Sequence, residues 1–254
     1  MIHLITLAGN SLRFKQQNLR HKALCQIKGK AALHHLVKHF DDFNNFETIF
    51  LCKNEDLAGT DLRDQILSSC KGAHIHGIER NDLGPVYSIS RIFDKLPDHL
   101  PILVTYVDTI QRTSLAQIEA DFKGYEGGIS VHDFKNPHWD NNKSYCLVRH
   151  DPDLVATTIV EKFDFSQFDF KEPLAAGSSG SYYFASGSIL KSYFNKVLEE
   201  KNTINGEYYV TQPLCDMVKD GMKVKCGYYP FVSLGSPGDL SDYEFWLEWF
   251  NCDE

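Results

Sequence analysis

Between residues 2 and 108, short β-rich apolar runs alternate with segments of helical spacing, and this alternation constrains the fold more than any other feature. Ile2-His3-Leu4-Ile5-Thr6-Leu7 is an apolar run stopped by Gly9, so it reads as a buried first strand. From Lys30 to Phe40 the apolar residues Ala32, Leu33, Leu36, Val37 and Phe40 follow one face of a helix. Thr48–Cys52 reads as a strand, Asp61–Ser69 as a helix with Leu62, Ile66 and Leu67 on one side, and His74–Ile78 as another strand. Pro85–Leu96 has helical spacing, with Pro85 at the start, where its missing N–H costs nothing. Pro101–Tyr106 is the most apolar strand and runs into Val107-Asp108. Strands separated by helices pair in parallel and are covered on both faces. Ligands of such sheets sit beyond the carboxyl ends of the strands, where Gly9 and Asp108 both fall.

The second half is less regular. Gly127–Asp133, Tyr145–Val148 and Ser181–Ala185 read as strands, Phe163–Phe170 as an aromatic loop, and Ile189–Leu198 and Val210–Lys219 as helices. No repeat and no low-complexity linker divides the chain, so residues 1–254 are expected to form one α/β domain. Residues 1–115 and 116–254 are read as its two halves, the second ending in an aromatic C-terminal helix. That tail (Tyr243, Trp246, Leu247, Trp249, Phe250) is read as docking on its own domain, with a homodimer interface as the alternative.

Composition narrows the function. Lys and Arg number 26 against 34 Asp and Glu, a net charge of −8, which argues against coating nucleic acid or an anionic membrane. A phosphate-bearing small molecule is still permitted, because one local group of cations suffices. No apolar run approaches the roughly 20 residues of a membrane span. The seven cysteines include no C-x-x-C pair, and no basic segment precedes an apolar one at the start. Reduced thiols in a cytoplasmic protein without a zinc site are therefore expected.

The first chemical candidate is Ala8-Gly9-Asn10-Ser11-Leu12-Arg13-Phe14, followed by Lys22. A small-residue loop directly after a parallel strand exposes backbone N–H groups that can hold phosphate oxygens, and Arg13 and Lys22 could supply the charge. A plain turn is the simpler reading of that loop taken alone. Asp108, at the end of the strongest strand, is placed either to hold a Mg²⁺ bridging phosphate oxygens or to cap a turn. Further segments follow in order: Glu161-Lys162, Gly180-Ser181-Tyr182-Tyr183, Gly206-Glu207-Tyr208-Tyr209 and Gly235-Ser236-Pro237-Gly238-Asp239-Leu240.

Together these segments resemble the nucleotidylyltransferases, the sugar-phosphate enzymes and the related alcohol-phosphate cytidylyltransferases. Leu7-Ala8-Gly9-Asn10-Ser11-Leu12-Arg13 is similar to the family's opening loop, His21-Lys22-Ala23-Leu24 to its Pro-Lys-x-Leu, and Gly29-Lys30-Ala31-Ala32-Leu33-His34-His35 to its Gly-Lys-Pro-Leu-Ile-x-His. Asp108 matches its metal-binding Asp, Glu161-Lys162 its acceptor segment, and the three later motifs its Gly-x-Tyr-x-Phe, Gly-Glu-Tyr-Tyr and Gly-Thr-Pro-Glu-Asp-Leu. The matches keep order over residues 2–243.

The resemblance implies a Rossmann-like mixed, mostly parallel sheet with helices on both faces, of the nucleotide-diphospho-sugar transferase type. It also implies Mg²⁺-dependent joining of a nucleoside triphosphate to a sugar-1-phosphate or small alcohol phosphate, with pyrophosphate released, to make a precursor for surface polysaccharide or cell envelope. Arg13, Lys22 and Asp108 would be catalytic, and Leu7, Ala8, Gly9, Asn10, Ser11 and Gly84 would bind the nucleotide. Tyr106, Glu161, Lys162, Gly180 and Tyr182 would hold the acceptor.

Three departures stand out. Ser11 replaces the loop's second Gly and Leu12 the Ser/Thr before Arg. The segment Asp82–Ser88, with Tyr87-Ser88, is more similar to the alcohol-phosphate enzymes than to the hexose ones. Ser233-Leu234-Gly235 stands where hexose enzymes carry a second metal Asp, leaving Ser233 or Asp239 as candidate second ligands beside Asp108. A glycosyltransferase is the first competing reading, although Asp108-Thr109-Ile110 lacks a paired Asp-x-Asp; a non-catalytic relative is the second. His34, His35 and His39 could suggest a metal, but with no nearby carboxylate they read as solvated surface. Pro137-His138-Trp139 with Tyr145 reads equally as an acceptor wall or as packing on the sheet.

Overall fold

Ile2–Thr6 form strand β1, buried at every position, as expected of a strand covered on both faces. The computed structural model describes residues 1–9, 14, 21–38, 40, 45–134 and 145–250. After β1 come the short strands β2 (Gln26–Ile27) and β3 (Lys30–Ala31), helix α1 (Ala32–Lys38) and strand β4 (Glu47–Lys53). Helices α2 (Asn54–Gly59) and α3 (Leu62–Ser69), strand β5 (His74–Ile78), helix α4 (Pro85–Ser90) and strands β6 (Ile102–Tyr106) and β7 (Thr109–Gln111) complete the first half. The second half runs through α5 (Leu115–Phe122), β8 (Gly127–His132), β9 (Tyr145–His150), β10 (Ala156–Phe163) and β11 (Ala175–Phe184). It ends with α6 (Gly187–Glu200), α7 (Thr211–Lys219), β12 (Val224–Tyr228), β13 (Phe231–Ser233) and α8 (Pro237–Trp249).

Among the described residues, nine strands form one mixed sheet along the path β10-β9-β11-β6-β1-β4-β5, with β8 beside β11 and β12 beside β8. The stretch β6-β1-β4-β5 is wholly parallel, as the alternation predicts. Antiparallel pairing enters through β11, which bonds β6, β8 and β9. Successive side chains of a strand face opposite sides: Leu4 packs into one core with Val104, Val86 and Phe194, and Ile5 into the other with Phe50, Leu33 and Leu115. No helix among the described residues is long and apolar enough to cross a membrane.

The parallel strands β1, β4, β5 and β6 lie where the sequence predicts them, and the structure differs from the expectation elsewhere. The expected helix Pro85–Leu96 stops at Ser90 and resumes as a single tight turn at Phe93–Lys95. The strand expected at Ser181–Ala185 begins six residues earlier, at Ala175. Its small residues Ala175–Ser181 look like a loop in sequence, yet they are buried because three strands crowd around them. Strands β2, β3, β7, β10, β12 and β13 and helices α2 and α5 are not anticipated. His35 is not solvated surface: it is 2% exposed, Nε2 lies 3.0 Å from the carbonyl of Ile27, and its ring meets Tyr243 edge-to-face. The tail helix α8 docks Leu240, Tyr243 and Leu247 onto Ile27, Ala32 and Ile110. Its other side leaves Trp246, Trp249 and Phe250 exposed.

Buried histidines make this fold acid-sensitive. His3 is fully buried between β1 and β6, with Nε2 2.8 Å from Thr105 Oγ1, and burial pushes its pKa down to about 3. Burial likewise lowers His132 and His21 to about 4. Between these values and the ordinary 6.5 the unfolded chain binds more protons than the folded one, so stability falls as pH drops. At pH 5 each neutral histidine should cost about 2 kcal/mol relative to neutral pH. Denaturant midpoints at pH 7 and 5 check this. A His3→Gln variant should lose part of the pH dependence, and an unchanged dependence would show that His3 is not its source.

Candidate functional site

Thr6 of β1 lies opposite Tyr106 of β6 in parallel register, so Leu7-Ala8-Gly9 and Val107-Asp108 leave the sheet side by side. Together they open into a cavity of about 190 Å³ whose walls include Ala8, Gly9, Lys22, Gly84, Tyr106 and Asp108. Lys22 begins a single-turn helix, Lys22–Leu24, and its ammonium donates to Asp108 Oδ2 at 2.9 Å. Both side chains are partly exposed to the cavity, at 19% and 28%. The backbone of Asp108 is fixed from behind, because its carbonyl accepts the N–H of Leu234 at 2.7 Å. Leu7 is buried beneath the loop, while Asn10, Ser11, Leu12 and Arg13 lie outside the described residues.

The far wall is built from two segments that the sequence singles out without assigning them this contact. Gly84 has φ of +87°, and a Cβ there would meet the backbone N and O of Tyr208 at 2.8 Å. Tyr208 N–H donates to the carbonyl of Leu83, and Val86 N–H to that of Tyr208, which closes Asp82–Ser88 onto Gly206–Tyr209. Asn81, Ser88, Glu207 and Tyr209 thereby reach the cavity, although sequence reasoning gave them no role. Their signal was present in the Gly-Glu-Tyr-Tyr segment, whose carboxylate and phenol meet directly: Tyr209 O–H donates to Glu207 Oε2 at 2.6 Å.

The acceptor candidates are only partly brought together. Tyr106 lines the cavity, and Tyr182 is buried behind it in an edge-to-face contact with centroids 5.3 Å apart. Burial drives both phenols well above their usual range, so each stays protonated. Gly180 lets β11 pass close to β7, since a Cβ there would stand 3.1 Å from Thr109 Oγ1. Lys162 sits 5.0 Å above the Tyr209 ring and so approaches the cavity wall. Glu161 lines a second cavity between β10 and α7 instead, where Oε2 accepts from Thr211 Oγ1 at 2.6 Å. Desolvation raises its carboxyl above the ordinary range, against the opposing Thr211 bond and Lys162 charge. Pro137-His138-Trp139 lies outside the described residues.

Ser233 pairs with Thr109, which puts it beside Asp108. Its hydroxyl donates to Asp239 Oδ2 at 2.9 Å, and the same oxygen accepts the N–H of Ser236 at 2.9 Å. With Asp239 N–H donating to Ser236 Oγ, this is the capping box of α8. A Cβ at Gly235 would stand 3.7 Å from Asp239 Oδ2 and 4.0 Å from Asp108 Oδ2, so both carboxylates face one small space. No group of three or more His, Cys, Asp or Glu among the described residues forms a metal cage. The donor set instead fits Mg²⁺, which binds through one or two carboxylates and completes its shell with substrate phosphates and water.

The family model of the MobA-like NTP transferase domain matches residues 3–181. A nucleoside-diphosphate-sugar pyrophosphorylase from Vibrio cholerae RC9 superposes with a TM-score of 0.77 at 16% identity, over 96% of this chain and 100% of that one. The inositol-1-phosphate CTP transferase from T. maritima gives a TM-score of 0.70 at 16% identity, over 97% of this chain and 94% of that one. A search of curated proteins returns no match.

The Gly84 contact yields a direct test. Gly84→Ala must both strain a left-handed backbone and part the two walls, whereas Gly206→Ala, with φ of +83° and nothing within 4 Å, carries the strain alone. Gly206→Ala should cost about 1 kcal/mol, and Gly84→Ala about 1–3 kcal/mol more. Equal losses in denaturant midpoint would mean that Tyr208 does not constrain Gly84.

Proposed function

The chain belongs to the MobA-like NTP transferase domain family, and we propose that it joins a nucleoside triphosphate to a sugar-1-phosphate or small alcohol phosphate with release of pyrophosphate. The observation that carries this reading is the Lys22–Asp108 pair on the cavity between β1 and β6. A phosphomonoester oxygen of the acceptor attacks the α-phosphorus in line, the α–β bridging bond breaks, and pyrophosphate leaves. The acceptor phosphate is ionised at neutral pH, so the protein need supply no strong general base. Its task is to hold two polyanions in line and to stabilise charge as the bond transfers.

Lys22 is the phosphate-binding cation in this scheme, and Arg13 shares that role by its place directly after the loop. In the free protein Asp108 holds the Lys22 ammonium, and phosphate oxygens compete for it on binding. Backbone N–H groups of Ala8 and Gly9 face the triphosphate, and the Gly84 wall faces its nucleoside. Tyr106 and Lys162 shape the acceptor end, backed by Tyr182, Gly180 and Glu161. Asp108 is the carboxylate that would hold Mg²⁺, which when bound neutralises charge on the phosphates. The product would be an activated nucleotide-diphospho compound, a reading supported by the nucleoside-diphosphate-sugar pyrophosphorylase of the same fold, and its proposed use is as a precursor for surface polysaccharide or cell envelope.

Pyrophosphate release, screened with each triphosphate against a panel of sugar-1-phosphates and alcohol phosphates, tests the proposal. Release of free nucleoside diphosphate from a nucleotide-sugar would point to glycosyl transfer, and absence of both activities to a binding role. Lys22→Ala and Asp108→Asn should each lower kcat/KM on the order of 10²-fold while leaving the melting temperature nearly unchanged. Wild-type turnover in both would remove this site from the reaction.

The metal can be tested without turnover. Asp108 is engaged by Lys22 and Asp239 by its cap, so the free protein should bind Mg²⁺ only weakly. Calorimetry should show the ion arriving mainly with the triphosphate. Micromolar Mg²⁺ affinity of the free protein would reveal a further ligand.

A further inference from the structure

Behind the cavity lies a buried cluster that the scheme above does not use. His21 directly precedes Lys22 and is 6% exposed. One ring nitrogen, Nε2, lies 3.0 Å from the carbonyl of Leu7, the residue that leads β1 into the loop. The other, Nδ1, accepts the N–H of Ala23 at 3.2 Å and so caps the turn that Lys22 begins. These two bonds fix the tautomer. Nδ1 must be bare to accept, so Nε2 carries the proton and donates to Leu7.

We propose that His21 is a positioning residue, bolting the turn that starts with Lys22 to the carbonyl of Leu7 so that the Lys22 ammonium and the loop after β1 share one frame. The proposal rests on the nucleotidyl-transfer reading only for its effect on turnover. A doubly protonated ring could not serve, because its Nδ1–H would face the Ala23 N–H as donor against donor. The surroundings guard against that. Asp56 Oδ2 lies 3.9 Å from Nε2 and by itself favours protonation. Lys53, at the carboxyl end of β4 and fully buried, stands 3.4 Å from that same oxygen and offsets it. Burial, the largest influence, lowers the ring to about 4, with the Lys22 and Lys53 charges acting in the same direction.

A buried histidine that merely stabilises the fold would leave Lys22 where it is, so the experiment reads Lys22 itself. With ¹⁵N-labelled protein, the Lys22 Nζ signal in His21→Ala should move toward its position in Asp108→Asn, because both variants break the Lys22–Asp108 pair. His21→Asn, which can cap the turn but cannot reach Leu7, should restore little of the wild-type signal; full restoration would show that the cap alone positions Lys22 and would overturn the role of the Leu7 bond. Long-range ¹H–¹⁵N correlation of the wild-type ring should show a proton on Nε2 alone at pH 7. An unmoved Lys22 signal in His21→Ala, or a proton on Nδ1, would overturn the proposal whether or not the enzyme turns over.

Turnover supplies a second arm. His21→Ala should lower kcat/KM on the order of tenfold in the wild type and less than about twofold on a Lys22→Ala background. Independent, multiplying losses would show that His21 does not act through Lys22. A wild-type protein that releases no pyrophosphate with any triphosphate would defeat the functional reading alone, and the Lys22 and ring signals would still decide the role of His21.

Discussion

The site depends on the parallel pairing of β1 with β6. Because Thr6 stands opposite Tyr106, the residues immediately beyond them, Leu7-Ala8-Gly9 and Val107-Asp108, emerge at the same height on the same edge. A slip of one residue would turn each strand's other face to the core and carry Asp108 away from Lys22. Burial on both faces makes such a slip costly: Leu4 and Val104 lie in one core, Ile5 and Leu103 in the other, all at 0% exposure. Two further backbone bonds extend this control past the strand ends. Leu7 N–H donates to Leu51, prolonging β1's pairing with β4, and the carbonyl of Asp108 is held by Leu234. The residues that lead into the proposed site are therefore only one or two backbone bonds removed from a rigid sheet.

Charge sets a second constraint. The cavity walls carry Asp82, Asp108 and Glu207 against Lys22 among the described residues. A bare triphosphate entering such a wall would meet more negative charge than positive. Under the proposed function, a cation accompanying the nucleotide, together with Arg13, would correct that balance and free Lys22 from Asp108. The acidic net charge of the chain is thus compatible with a polyanionic substrate.

How much of this was legible in sequence follows from the range of the interactions. The strands of the parallel half announce themselves because each is a local apolar run with its own stop signal. The first part of β11, before Ser181, does not, because its Ala, Gly and Ser residues are strand-forming only where neighbouring strands surround them. Lys22 and Asp108 were readable as candidates from their positions, but their contact joins residues 86 apart and no local pattern encodes it. In sequence His21 is only the first residue of the segment similar to Pro-Lys-x-Leu. Its role appears once Leu7, Ala23 and Asp56 are brought around the ring. Glu161 shows the opposite failure: it lines the cavity beside α7, while its neighbour Lys162 turns to the Tyr209 ring at an irregular stretch of β10 where Lys162 has φ of +54°.

The serine at position 233 has a structural reason that bears on the metal. Its hydroxyl donates to the very oxygen of Asp239 that caps α8 through Ser236. The tail helix leans on that cap at its first turn, and through Leu240, Tyr243 and Leu247 it closes the core that also holds Ile110, two residues beyond Asp108. A carboxylate at position 233 would replace a donor with an acceptor and set two negative charges where one hydrogen bond now stands. A carboxylate there would therefore weaken the start of α8. Ser233 and Asp239 therefore act as a coupled pair: the hydroxyl satisfies the capping oxygen of Asp239 and holds that carboxylate on the side of the space that Asp108 also faces.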